Sequence, residues 1–169
     1  MHDGGQNAAD RRSPAALVEY VASLLAGERD FIANAANAAA AIYCSLGRVN
    51  WAGTYIVRDG GLVLGPFCGR PATVRIALGD GVCGSAALRR ETLVVDDVHA
   101  FAGHIACDPA SASEIVVPLI GERGVIGVLD VDSPGAARFG ADERTALEAI
   151  GALLVSASDT RSYETIASR

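Results

Sequence analysis

Apolar residues recur at helical spacing near both ends of the chain and at strand-like spacing between them. Leu17, Val18, Val21, Leu24 and Leu25 share one face of a helix predicted over about 14–26, with Ser13-Pro14 as N-cap and first helical residue and Gly27 as its stop. A second, alanine-rich helix over about 30–46 carries Phe31, Ile32, Ala35, Ala39 and Ile42 and closes at Gly47. The texture then changes. Trp51–Val57 and Leu62–Phe67 flank Asp59-Gly60-Gly61, the signature of a β-hairpin. Further strands are expected at Thr73–Ala77, Thr92–Asp96, Glu114–Ile120 and Gly124–Val131, the last two joined at Gly121–Gly124. A short helix, Val82–Arg90, opens after Gly79-Asp80-Gly81, and a long one over about 142–162 turns Leu147, Ile150, Leu153 and Leu154 inward. Helices, then hairpin-linked strands, then a helix describe an α+β domain with a mainly antiparallel sheet covered by helices.

The 169 residues suit one domain, expected over 14–165 behind a polar, disordered tail at 1–13. Half the residues are apolar, enough for a sizeable core, but only 5% are aromatic; with alanine so abundant, the helices should pack closely through small side chains. Net charge is −6, from 20 acidic residues against 14 basic ones, every one of them arginine and none forming a stripe. Such a chain lacks the electrostatic footprint for nucleic acid or acidic lipid. No apolar run approaches the roughly 20 residues that span a bilayer, and the N-terminus has no apolar signal segment. The expectation is a cytoplasmic protein whose four cysteines, Cys44, Cys68, Cys83 and Cys107, are buried, metal-binding or redox-active rather than a disulfide framework.

Reactive side chains concentrate between Cys83 and Asp132, and the stretch Asp97–Ser113 reads as a long loop rich in His, Cys and Asp. Asp130 and Asp132 lie two apart on a strand and leave the same face, while Glu114 begins the partner strand and can face them. The arrangement reads either as a solvated strand end or as a pocket in which mutual repulsion raises one carboxyl pKa and supplies a proton donor. Cys107, in His104-Ile105-Ala106-Cys107-Asp108, would be activated as a thiolate beside an imidazolium; Cys83, at the start of a helix, by the dipole. Cys44 reads as core, and Cys68 as either packing or redox-active. The spacing of His99, His104 and Cys107 fits no strong zinc pattern, and Gly79–Gly84 is neither a P-loop nor a dinucleotide fingerprint, so neither metal nor cofactor is expected.

Asn50–Tyr55, Leu64–Phe67, Gly81–Gly84, Asp97–Phe101, Gly103–Asp108, Ser113–Pro118 and Gly127–Ser133 together resemble the free methionine-(R)-sulfoxide reductases, over about 14–158. The resemblance implies a GAF-like fold, with a six-stranded antiparallel sheet, helices behind it and a ligand pocket under loops on the other face. It also implies reduction of free L-methionine (R)-sulfoxide, with Cys107 attacking the sulfoxide sulfur and becoming a sulfenic acid. A second thiol then condenses with it, and thioredoxin reduces the resulting disulfide. Glu114 and Asp132 are the candidates for protonating the sulfoxide oxygen, and Asp130 for the substrate ammonium. Trp51 and Tyr55 either wall the pocket or pack as core, and the Ile105-Ala106 backbone is placed to hold the substrate carboxylate. Many members carry a further cysteine where this chain has Thr73, so the resolving thiol is Cys83 or Cys68. A homodimer through the terminal helices is compatible with the fold. The competing function is a non-catalytic GAF module that senses a small ligand, against which the chain's ending soon after the closing helix counts.

Overall fold

The computed structural model describes residues 11–103, 105, 108–163, 165 and 166. Local capping sets where the first two helices begin. In α1 (Pro14–Leu24) the Ser13 side chain accepts the Ala16 N–H at 3.3 Å and proline takes the first helical position. In α2 (Phe31–Ser45) Asp30 accepts the Ala33 N–H at 2.8 Å. Strands β1 (Trp51–Arg58), β2 (Gly61–Cys68) and β3 (Arg75–Ile76) follow, then α3 (Gly81–Arg89), β4 (Leu93–Val95), β5 (Ser113–Gly121), β6 (Gly124–Ser133) and α4 (Ala141–Ala157). The six strands form one antiparallel sheet in the order β3-β2-β1-β6-β5-β4. Among the described residues no helix is long and apolar enough to cross a membrane.

Strand alternation sorts the apolar residues into two cores. On one face Ala52, Ile56, Ile115, Val117, Leu129 and Val131 pack against Leu17 and Val21 of α1, Phe31, Ala35 and Ala38 of α2, and Leu147 and Ile150 of α4. The small alanines of α2 let its backbone approach the sheet. On the other face Trp51, Tyr55, Val116 and Val128 pack against Val82, Cys83, Ala86 and Ala87 of α3. Each fully buried leucine or isoleucine contributes about 1.5–3 kcal/mol, so the larger, helix-covered core carries most of the stability and the second core shapes the site.

Some boundaries differ from the sequence reading. β3 is confined to Arg75–Ile76, because the Thr73 carbonyl accepts from the Tyr55 hydroxyl at 2.9 Å instead of joining a ladder. α4 stops at Ala157: Asp159 N–H donates to the Arg29 carbonyl at 2.8 Å, Tyr163 packs on Phe31 with ring centroids 5.1 Å apart, and Ile166 bridges to Val125. These tertiary partners outweigh continuation of the helix. Arg12, assigned by sequence to the tail, is anchored through Ser45 and lies 3.9 Å over the Tyr20 ring. Cys44 is exposed rather than part of the core.

Gly84 fixes how closely α3 approaches the preceding loop. Its N–H donates to Asp80 and its carbonyl accepts from Gly79, and a Cβ at this position would run into the Ala77 carbonyl. Gly84→Ala should therefore cost about 1–3 kcal/mol through overpacking against backbone that has little room to yield. A fall in the denaturation midpoint at unchanged slope checks this.

Candidate functional site

The register of β5 and β6 assembles the site. Glu114 pairs with Asp132 and Val116 with Asp130, while β1 brings Trp51 opposite Asp132 and Gly53 opposite Asp130. Because paired and alternate positions share a face, Glu114, Asp130 and Asp132 all project to the side covered by α3. They are 2%, 0% and 1% exposed, which excludes the solvated strand end. The third residue of α3 completes the group: Cys83, itself buried, lies with its Sγ 4.0 Å from Glu114 Oε1.

Burial, and after it the Asp132 charge, pushes the Glu114 carboxyl well above the ordinary carboxylate range, against a hydrogen bond with Asp130 that favours the charged form. Asp132 is raised as well, first by burial and then by Asp130, with Asp108 adding and a hydrogen bond from Ser111 opposing. Asp132 Oδ2 has no hydrogen-bond partner among the described residues. The site thus holds carboxyl groups whose proton affinity is raised within reach of a thiol, the direction that favours a proton donor for a poor leaving group. Among the described residues, Cys83, Glu114 and Asp130 are the group close enough to surround an ion, with donor atoms within 4.8 Å of one another. Ligation would require the thiol and carboxyl protons to leave, which burial opposes at Glu114.

Trp51 and Tyr55 are fully buried beside the carboxylates. Trp51 stacks on Phe67 at 5.4 Å and on Tyr55 at 6.1 Å, and its indole N–H donates to the Arg70 carbonyl at 3.0 Å. The long loop after β4 opens with a 3-10 turn at Val98–Ala100, where Asp97 accepts the His99 N–H. Phe101 and Ile105 pack on the second core, and Ile105 lies over Gly81 at the start of α3, where φ is +57° and a Cβ would meet it at 3.3 Å. The loop returns through Ser111, which accepts from Asn50 Nδ2 at 3.1 Å and bonds Asp132. His104, Ala106 and Cys107 lie outside the described residues.

Cys68 is placed differently from Cys83. It pairs with Ala52, whose side chain belongs to the helix-covered core, so it occupies the opposite face of the sheet from Glu114. Burial and the neighbouring Cys44 raise its thiol pKa. Asn50, Phe67 and Ser111 entered the sequence reading only as motif or loop residues; no local signal marks a serine in an Ala-Ser-Ala-Ser stretch as the tether of a buried aspartate.

The GAF domain family matches residues 29–158. The free methionine-R-sulfoxide reductase of Escherichia coli is 47% identical over 84% of this chain and 86% of its own length. The structure of the Staphylococcus aureus enzyme in complex with substrate is 43% identical, with a TM-score of 0.82 over 87% of this chain and 97% of that one. The Neisseria meningitidis enzyme in complex with its substrate is 40% identical, also with a TM-score of 0.82, over 85% and 87% of the two chains.

A folded-state pKa above the unfolded value means that the native chain holds more protons than the unfolded chain once the pH passes about 4. Stability at Asp132 is therefore greatest below that value and declines as pH rises toward the folded pKa. Asp132→Asn removes this titration while keeping a side chain able to bond Ser111. Its Tm should exceed that of the wild type at neutral pH and converge with it near pH ~4. Thermal denaturation across this range checks the sign. With this fold, this conjunction of carboxyls and thiol, and these relatives, the chain belongs to the free methionine-R-sulfoxide reductase family, oxidoreductases built on a GAF domain.

Proposed function

We propose that this chain reduces free L-methionine (R)-sulfoxide to methionine, with Cys107 as nucleophile, Cys83 as resolving thiol and thioredoxin as reductant. The observation that carries the reading is the buried Glu114, Asp130 and Asp132 group with Cys83 against it. The Cys107 thiolate attacks the sulfoxide sulfur while Glu114 or Asp132 protonates the oxygen; methionine departs and Cys107 becomes a sulfenic acid. Asp130 faces the substrate ammonium, Trp51 and Tyr55 offer aromatic faces to its methylene and methyl groups, and the Ile105-Ala106 backbone receives its carboxylate. Cys83 then attacks the sulfenic sulfur, expelling water and leaving a disulfide for thioredoxin to reduce.

Two placements support Cys83 over Cys68 in the resolving role. Cys83 shares the face of Glu114, whereas Cys68 lies across the sheet with Ala52. Thr73, where many relatives carry a cysteine, offers only a hydroxyl that cannot resolve a sulfenic acid, and its carbonyl is held by Tyr55.

Thioredoxin-coupled NADPH oxidation should proceed with the (R)-sulfoxide and not the (S)-sulfoxide. Failure with both, with dithiothreitol also ineffective, would favour ligand sensing instead. Cys107→Ser should abolish turnover. Cys83→Ser should release about one methionine per chain and then stop, as expected when a sulfenic acid forms without a resolving partner. Undiminished multiple turnover in that variant would transfer the role to an external thiol.

A further inference from the structure

We propose that Glu114 serves a second time in the cycle, accepting the proton of Cys83 and passing it to the departing hydroxide as the disulfide forms. The inference rests on the proposed function for the identity of the sulfenic acid, but its structural basis is the Cys83–Glu114 contact itself. The thiol Sγ stands 4.0 Å from Oε1, both side chains are buried, and α3 and β5 are packed elements that hold them there. A thiol shut away from solvent needs a local acceptor to become a thiolate, since the thiol itself is a weak nucleophile.

Among the described residues, three elements bring titratable or charged groups toward Glu114. From β6 come Asp132, directly paired with it, and Asp130, which hydrogen-bonds it; β4 presents Val95 at the paired position, followed by exposed Asp96 and Asp97; α3 presents Cys83, with Arg89 and Arg90 at its far, more exposed end. Asp130 belongs to the same close group, in which the Cys83 Sγ meets Glu114 Oε1 at 4.0 Å.

The steps balance. Protonating the sulfoxide oxygen leaves Glu114 as a carboxylate facing the Cys83 thiol. Glu114 takes the Cys83 proton, and the new thiolate attacks the Cys107 sulfur. The S–S bond forms as the S–O bond breaks, and the hydroxide leaves as water with the proton returned from Glu114. The sulfenic sulfur is reduced and the Cys83 sulfur oxidised, so no outside oxidant enters. Reduction by thioredoxin delivers two hydrogens, which restore the Cys83 thiol and the Glu114 proton.

Hydrogen peroxide at one equivalent reaches the same state without a sulfoxide: the Cys107 thiolate attacks one peroxide oxygen and becomes a sulfenic acid, and the departing hydroxide takes the Glu114 proton and leaves as water, so the Glu114 carboxylate again faces the Cys83 thiol. Conversion to the Cys83–Cys107 disulfide is followed by acid quench, thiol blocking and mass spectrometry at a series of pH values. Wild type should condense at a rate that reaches a plateau below the ordinary thiol range near pH ~8.5. Glu114→Gln should condense at least about tenfold more slowly, within the usual reach of general-base catalysis, with its inflection moved to higher pH. Glu114→Asp should restore part of the rate and the wild-type profile shape.

A Glu114→Gln rate and profile equal to wild type would overturn the proposal. If that variant does not fold, the wild-type profile alone decides: a rate that climbs through pH ~8.5 without an earlier plateau is unassisted thiol ionisation and overturns it equally. Absence of a Cys83–Cys107 disulfide in peroxide-treated wild type would also overturn it. Failure of the underlying function looks different, since wild type would then release no methionine from the free sulfoxide.

Discussion

Burying Glu114, Asp130 and Asp132 on one face of neighbouring strands sets desolvation and like-charge repulsion against the fold. Protonation relieves both at once, and burial with like charge raises the proton affinity of Glu114 and Asp132 accordingly. The same response that makes the cluster tolerable in a folded domain raises the proton affinity of its carboxyl groups. Stability and chemistry therefore meet in one group of atoms, and the surrounding structure can be understood as what keeps that group from spreading apart or filling with water.

The two faces of the sheet divide this task. The helix-covered face carries most of the aliphatic burial, so β1, β5 and β6 are held in register by packing that has no part in the chemistry. The other face can then accept polar side chains that no small core would tolerate alone. There α3 and the described part of the loop after β4 close over the carboxylates, with Ile105 seated on α3 and Ser111 joined to both Asn50 and Asp132. The Trp51, Tyr55 and Phe67 rings supply a rigid apolar flank on the β1–β2 side.

Topology sorts the cysteines as well. Cys83 is buried beside Glu114, whereas Cys68 sits on the far face near exposed Cys44. The three described thiols thus differ in neighbours and access without any difference in local chemistry. The polypeptide separates them by strand parity and helix position.

Period and capping were enough to read the helices, the hairpins and the antiparallel sheet from the sequence, because each depends on residues only a few positions apart. Ser13-Pro14 and the Asp59-Gly60-Gly61 turn act locally, and the structure places their elements where they indicate. The shared face of Asp130 and Asp132 was equally legible, since alternation along a strand is a local rule. Tertiary structure alone decided the depth of their burial, the approach of Cys83 to Glu114 and the exile of Cys68 to the opposite face, because each requires strands and a helix distant in sequence to meet. It also shortened α4 and β3, where Arg29, Phe31, Val125 and Tyr55 offered the backbone or side chains better partners than the local periodicity could. The sequence specified which groups could do chemistry; long-range packing determined which of them share a solvent-free space, and proton affinity follows from that space.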